Sequence, residues 1–204
     1  RTTLKGLFAA GECTAGVQGA NRLANNGLAE ALVFGVIAGE NASKHASEAK
    51  MPTYDETSLE QKLIELREVF SSDGVSPRSI MTGIQGMMTR HVGVIKDRKG
   101  LESAIDLLQE YSAYKMNADF NTRWSPKLIH GISVRNMIYL GQSIAMAALE
   151  RKESRGAHYR LDYPDTDDIH WKVNIIVTMD IEGKLKLKRN EPGSRGCVNW
   201  ETTA

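Results

Sequence analysis

Residues 6–42 read GLFAAGECTAGVQGANRLANNGLAEALVFGVIAGENA, and three textures follow one another within them. Residues 7–10 are a short apolar run between Gly6 and Gly11, the pattern of a buried strand. A glycine-rich loop then runs through Gly11, Gly16 and Gly19. From Leu28 onward, Leu28, Ala31, Leu32, Gly35, Val36 and Gly39 recur at helical spacing, with Asn25 or Asn26 available as N-cap. The first forty residues therefore read as strand, loop, helix.

That order has chemical consequences. Glu12 falls just beyond the end of the expected strand, where α/β sheets take ligands. An ionised carboxylate there can accept hydrogen bonds from two hydroxyl groups of a sugar or polyol. The loop glycines let backbone come close to a bound group. The start of the following helix, at Asn26, Gly27 and Leu28, offers unpaired N–H groups and a partial positive charge. Arg22 adds a permanent cation able to grip a carboxylate with two parallel hydrogen bonds. A plainer alternative stands beside this one: Glu12 and Arg22 pair with each other and brace the loop. Gly11, Gly16 and Gly19 do not form the strand-bound GxGxxG fingerprint.

Outward from this stretch the texture changes. Residues 44–57 are polar and contain Pro52, which predicts a linker. A helix is expected from Ser58, with Leu59, Leu63, Leu66 and Phe70 on one face. Ser76 and Pro77 read as the N-cap and first position of the next helix, which carries Ile80, Ile84, Met87, Met88 and His91. A third helix spans about 100–116, and a fourth runs from Pro126 to about Lys152. Four amphipathic segments with short connections predict a helical bundle whose methionines pack rather than ligate. Past Ser154, residues 171–179 and 184–188 flank Glu182-Gly183 as a β-hairpin, and the last dozen residues read as a tail.

Composition sets bounds on function. The chain has 204 residues, 41% hydrophobic and 25% charged, with a formal net charge of +1, so nothing draws it toward nucleic acid. Two cysteines, Cys13 and Cys197, neither cage a metal nor suit a disulfide-dense secreted fold, and a reduced intracellular setting is expected. No apolar run approaches the ~20 residues that span a bilayer. Arg1-Thr2-Thr3 leads almost at once into the apolar run. We therefore expect an upstream part, removed or carried on another polypeptide.

The segments Gly11-Glu12, Gly19-Ala20-Asn21-Arg22-Leu23, Asn25-Asn26-Gly27-Leu28 and Val33-Phe34-Gly35 together resemble the stretch that completes the FAD domain of the fumarate reductase and succinate dehydrogenase flavoprotein subunits and of L-aspartate oxidases. Downstream, RKESRGAHYRLDYPDTDD resembles the C-terminal segment of that family, through Arg155, Gly156, His158, Arg160, Asp162 and Pro164. The resemblance covers roughly residues 4 to 171.

It implies a mainly α chain: the C-terminal edge of an α/β FAD-binding domain (1–43), a linker (44–57), a helical bundle (58–153) and a C-terminal extension with a β-hairpin (154–204). It implies FAD as cofactor, with Glu12 on the ribityl or ribose side and Asn26, Gly27 and Leu28 at the isoalloxazine. Arg22 would bind a carboxylate of a C4 dicarboxylate, and the activity would be fumarate–succinate interconversion by hydride transfer at flavin N5. L-aspartate oxidase, or a non-catalytic helical assembly module when isolated, are the alternatives. An adenylylsulfate-reductase-like member is a more distant one.

Two positions depart from the family pattern: Gln18 where His is common, and Gly27 where many members have Ser. The family's N-terminal GxGxxG, flavin-attachment region and capping domain, with its proton-donating arginine, have no counterpart here, so no catalytic residue is assigned. The implied partners are the N-terminal flavoprotein segment and an iron–sulfur subunit. The implied location is the cytoplasm, peripheral on the inner face of the membrane. Of the remaining histidines, His91 is expected in the core and His130 and His170 at the surface. His158 is expected in an ion-pair cluster with nearby aspartates or at an interface. Lys184, Lys186, Lys188 and Arg189 form a basic strip that reads as a solvated face or a docking strip.

Overall fold

A computed structural model describes residues 2, 4–15, 17–51, 53–118, 120 and 124–191. Gly16, Pro52, Cys197 and the expected tail lie outside the described residues. The chain divides into two compact units between Thr53 and Tyr54.

In the first unit, helix α1 (Asn26–Glu48) starts at Asn25, which takes the left-handed conformation with φ +66°. Asparagine tolerates that conformation better than other residues with a Cβ. The polar residues 44–48, expected in the linker, instead continue α1. Gly11 opens a 3₁₀ turn (Gly11–Cys13) with φ +76°, and a Cβ there would come within 3.2 Å of the Ala31 side chain. Glycine at 11 thus meets both a backbone and a packing requirement.

The expected strand at 7–10 does not form. A strand needs a neighbour for its N–H and C=O groups. Here the Leu7 carbonyl accepts from the Thr2 N–H (3.0 Å), and the Leu7 N–H donates to Leu4 (3.2 Å) in a turn. No residue of α1 is buried: Leu28, Leu32 and Val36 are 76%, 69% and 58% exposed. A helix with this much open apolar surface is built to be covered.

The second unit packs three helices, α3 (Pro77–His91), α4 (Arg98–Ser112) and α5 (Pro126–Glu150). Its core joins Ile80, Ile84 and Met87 of α3, Leu108 of α4, and Val134 and Ile138 of α5. The Asp97 carboxylate caps α4 through the Gly100 N–H (2.7 Å), and the Ser125 hydroxyl caps α5 through the Leu128 N–H (3.2 Å). Pro77 begins α3 as expected, and His91 stands in that helix's last turn, partly exposed rather than in the core.

Helix α2 (Glu56–Arg67), capped by Asp55, contributes no buried residue and reaches the core through the partly buried Leu66, so three of the four expected helices supply the buried core. Leu59 and Leu63 stay half exposed. Phe70 is not on α2. It opens strand β1 (Phe70–Val75) and inserts against α5, where a Cβ on Gly131 would come within 2.6 Å of its ring. Glycine at 131 makes that close approach possible.

Beyond α5, β2 (Ile95–Lys96) and β3 (Tyr159–Arg160) pair in parallel. Strands β4 (Asn174–Met179) and β5 (Leu185–Asn190) form the expected antiparallel hairpin. The Asp180 carboxylate accepts the Glu182 and Lys184 N–H groups across the turn, and Gly183 takes φ +79°. Among the described residues, no helix is long and apolar enough to cross a membrane.

Candidate functional site

The loop between the 3₁₀ turn and α1 is held by a residue that spacing did not single out. Glu30 accepts from the Gln18 side-chain amide (2.9 Å) and the Thr14 hydroxyl (3.3 Å), and the same hydroxyl also donates to the Gly11 carbonyl (2.6 Å). Gln18, the departure from the usual His, is therefore a structural tie in this chain. Glu30 lies one turn into α1, where periodicity marks it only as a polar position, so its role could not be read from the sequence.

With Glu30 bracing the loop, Glu12 and Arg22 form no ion pair with one another, and both are exposed. The bracing alternative is thus not what the structure adopts. The Arg22 guanidinium instead lies against the first turn of α1: a Cβ built on Gly27 would overlap Nη1 and come within 3.0 Å of Cζ. Among the described residues the Gly27 N–H has no acceptor, the N-cap Asn25 makes no side-chain cap, and the first turn holds no acidic residue. Arg22 and the positive end of α1 therefore lie together with no acidic residue in the helix's first turn and no ion pair on Arg22, the Glu30 carboxylate following one turn on. Asn26 and Leu28 are exposed beside them. A Cβ on Gly19 would meet nothing within 4 Å, so backbone there is open to a close-lying group.

The unpaired Glu12 carboxylate can accept from hydroxyl groups, the Gly27 N–H can donate to a carbonyl, and the backbone at Gly19 is open, a donor and acceptor set compatible with the hydroxyl and carbonyl groups of a flavin dinucleotide. Among the described residues no cluster of His, Cys, Asp or Glu could hold a metal ion.

The second motif, residues 151–168, plays a structural part. Arg160 is 1% exposed and uses all its nitrogens. Nη1 donates to the Ala148, Leu149 and Arg151 carbonyls (2.7, 3.1 and 3.1 Å), closing the C-terminal end of α5. Nε and Nη2 form a two-point pair with Asp162 (2.8 and 2.6 Å). Glu153, fully buried, joins Arg151 (2.5 Å) and Arg155 (2.9 Å) and accepts the Asp167 N–H (2.8 Å). Burial pushes the Glu153 carboxyl up, but hydrogen bonds from Arg155, the Asp167 N–H and Arg151 outweigh it and hold it below the usual range. Arg189 of the basic strip pairs with Glu150 (2.6 Å) and stacks 4.0 Å from the Trp171 ring, while Lys184 and Lys186 pair with Glu182 and Asp180. The strip is largely neutralised.

His158 does not join the ion-pair cluster. Its Nε2 is buried without a partner. Burial pushes its pKa down to about 4, and the Lys96 charge adds to this, while the Arg151 carbonyl works the other way. A histidine whose folded pKa lies below its unfolded value of ~6.5 favours the fold while neutral. That contribution is present above pH 6.5 and is lost as pH falls from 6.5 toward 4. We expect thermal stability to decline across that window by about 2 kcal/mol, separately from the carboxylate titrations below it. His158→Asn should flatten this part of a Tm-versus-pH profile, and an unchanged slope would contradict the assignment.

Together the two units define a class: the closing stretch of a flavin domain followed by a helical domain with a charge-locked extension. Residues 81–195 match the model of the fumarate reductase flavoprotein C-terminal family, and residues 1–28 match that of an FAD binding domain. The chain belongs to the fumarate reductase flavoprotein C-terminal family.

It is 31% identical over 209 residues to the fumarate reductase flavoprotein subunit of Haemophilus influenzae, covering 95% of this chain and 35% of that one. Against the succinate dehydrogenase flavoprotein subunit of Bacillus subtilis it is 33% identical over 180 residues, covering 83% and 31%. Among solved structures, the Mycobacterium smegmatis Sdh1 complex in the apo form matches with TM-score 0.80 at 29% identity, covering 91% of this chain and 33% of that one. A quinol–fumarate reductase with menaquinol molecules matches with TM-score 0.79 at 30% identity, covering 92% and 34%. A structure of adenosine-5-phosphosulfate reductase shares the fold alone, at 17% identity and TM-score 0.64. The chain spans about a third of the length of the curated relatives it matches.

Proposed function

We infer that this chain forms the C-terminal third of an FAD-dependent oxidoreductase that interconverts fumarate and succinate. The observation that carries this reading is the convergence of Arg22, free of any ion pair, and the start of α1, whose first turn holds no acidic residue, inside the segment matched to an FAD domain. Bound FAD would supply hydride transfer to or from a substrate carbon. The chain's own residues would arrange that exchange. Glu12 would accept hydroxyl hydrogen bonds from the ribityl or ribose portion. Asn26, Gly27 and Leu28 would present the first turn of α1 to the isoalloxazine carbonyl edge, where negative charge is favoured. Arg22 would hold one substrate carboxylate and draw electron density away from the reacting double bond. No proton donor is assigned to this chain.

The open apolar face of α1 supports a first partner, the N-terminal flavoprotein segment, which would cover Leu28, Leu32 and Val36. An iron–sulfur subunit as electron partner, and a peripheral position on the cytoplasmic face of a membrane, belong to the same proposal; the similar structures include an Sdh1 complex and a quinol–fumarate reductase with menaquinol molecules. Turnover of the longer flavoprotein separates the readings. Oxidation of succinate with a dye acceptor, without turnover of L-aspartate, is expected. L-aspartate oxidation without succinate oxidation would replace this reading with the L-aspartate oxidase alternative.

A further inference from the structure

Lys96 is 8% exposed, a rare place for an ammonium group that no carboxylate pairs with among the described residues. It uses one of its three donors, toward the Val94 carbonyl (3.0 Å). That carbonyl also accepts the Tyr159 N–H (3.4 Å), so the ammonium lies beside the backbone that follows His158. Two hydrogen bonds with Arg155 fix the His158 backbone: its N–H donates to the Arg155 carbonyl (3.0 Å), and its carbonyl accepts the Arg155 N–H (2.8 Å). The imidazole Nε2 is buried, and no protein group reaches it. Lys96 and His158 form no direct hydrogen bond, yet the lysine charge acts on the ring. Spare donors and an unmet ring nitrogen therefore stand close together in the same interior.

The neighbouring charges select what can join them. Arg160, the register partner of Lys96, has its carboxylate in Asp162, and Arg151 has one in Glu153. An anion would need His158 protonated to donate from Nε2, and burial with Lys96, Arg151 and Arg160 nearby opposes that proton. A neutral molecule that accepts from an ammonium and donates to a ring nitrogen meets both needs. We propose that Lys96 and His158 form an internal hydration site: one water molecule accepts from Lys96 Nζ and donates to His158 Nε2, tying β2 to the turn that precedes β3. Two such partners, both in the interior, suffice to hold a buried water. The site stands apart from the flavin segment and does not rest on the functional reading above.

Its test uses crystals of the longer flavoprotein, wild type and Lys96→Met, grown from chloride and then exchanged into bromide. The wild type should show an oxygen-sized peak within hydrogen-bond distance of both Nζ and Nε2, without bromide anomalous signal there, and Lys96→Met should lose the peak. No peak in the wild type overturns the proposal, and so does a peak that persists in Lys96→Met. A bromide signal overturns the water and makes the site an anion site. Thermal midpoints of Lys96→Met, His158→Phe and the double variant give an independent reading. Each single substitution should lower the midpoint by stranding the other partner, and the double should lower it by less than the sum. Strict additivity overturns the bridge. If a variant does not fold, the wild-type crystal decides alone.

Discussion

Replacing Arg22 with alanine in the longer flavoprotein is expected to lower kcat/KM for fumarate or succinate by roughly 10²–10³-fold while flavin content stays unchanged. The guanidinium is the loop's permanent cation, it is not consumed by an internal ion pair, and it sits at a helix end whose first turn holds no acidic residue. Removing it leaves one substrate carboxylate without its charged partner at the site where electron withdrawal matters. Flavin retention follows because the residues assigned to FAD, Glu12 and the first turn of α1, are untouched. Arg22→Lys should recover only part of the loss, since an ammonium cannot offer two parallel hydrogen bonds. Steady-state kinetics with flavin quantitation checks both. Loss of flavin together with activity would instead assign Arg22 to cofactor retention.

The second large effect is on stability. Arg160→Ala should cost about 3–5 kcal/mol, because it strips a buried two-point pair from Asp162 and uncaps three carbonyls at the end of α5 at once. For a unit of this size that corresponds to a fall in Tm of roughly 10 °C or more. Arg160→Lys should fall between, retaining charge but not the fork. Differential scanning calorimetry of the three proteins gives the comparison, and a variant within about 2 °C of wild type would show that the α5 terminus is held by other means.

Local rules in the sequence located much of this architecture. Ser76-Pro77 marked the start of α3, and Glu182-Gly183 marked the hairpin, because a proline at a first helical position and a turn glycine act through their own backbone. The proposed site segment is local in the same sense: Glu12, Arg22 and the start of α1 fall within one short stretch of chain.

What escaped was what depends on partners distant in sequence. Residues 7–10 had the composition of a strand, but a strand also needs a neighbour, and their backbone groups close a turn instead. Phe70 had the spacing to extend α2, yet it packs on Gly131, far along the chain. The ties from Glu30 to Thr14 and Gln18, and the capping of α5 by Arg160, join residues whose side-chain types are common and whose spacing carries no period. His158 looked like a member of an ion-pair cluster because charges surround it in the sequence. Burial places its ring among cations rather than carboxylates.

The central claim is that Arg22 and the start of α1 form a dicarboxylate site beside a flavin. Its most direct test is the absorption spectrum of the longer flavoprotein during titration with succinate, fumarate and L-aspartate. The account predicts flavin bands that shift with succinate and fumarate, with the shift lost and the bands retained in Arg22→Ala. A folded protein without flavin, or a flavin spectrum indifferent to both dicarboxylates, would contradict it.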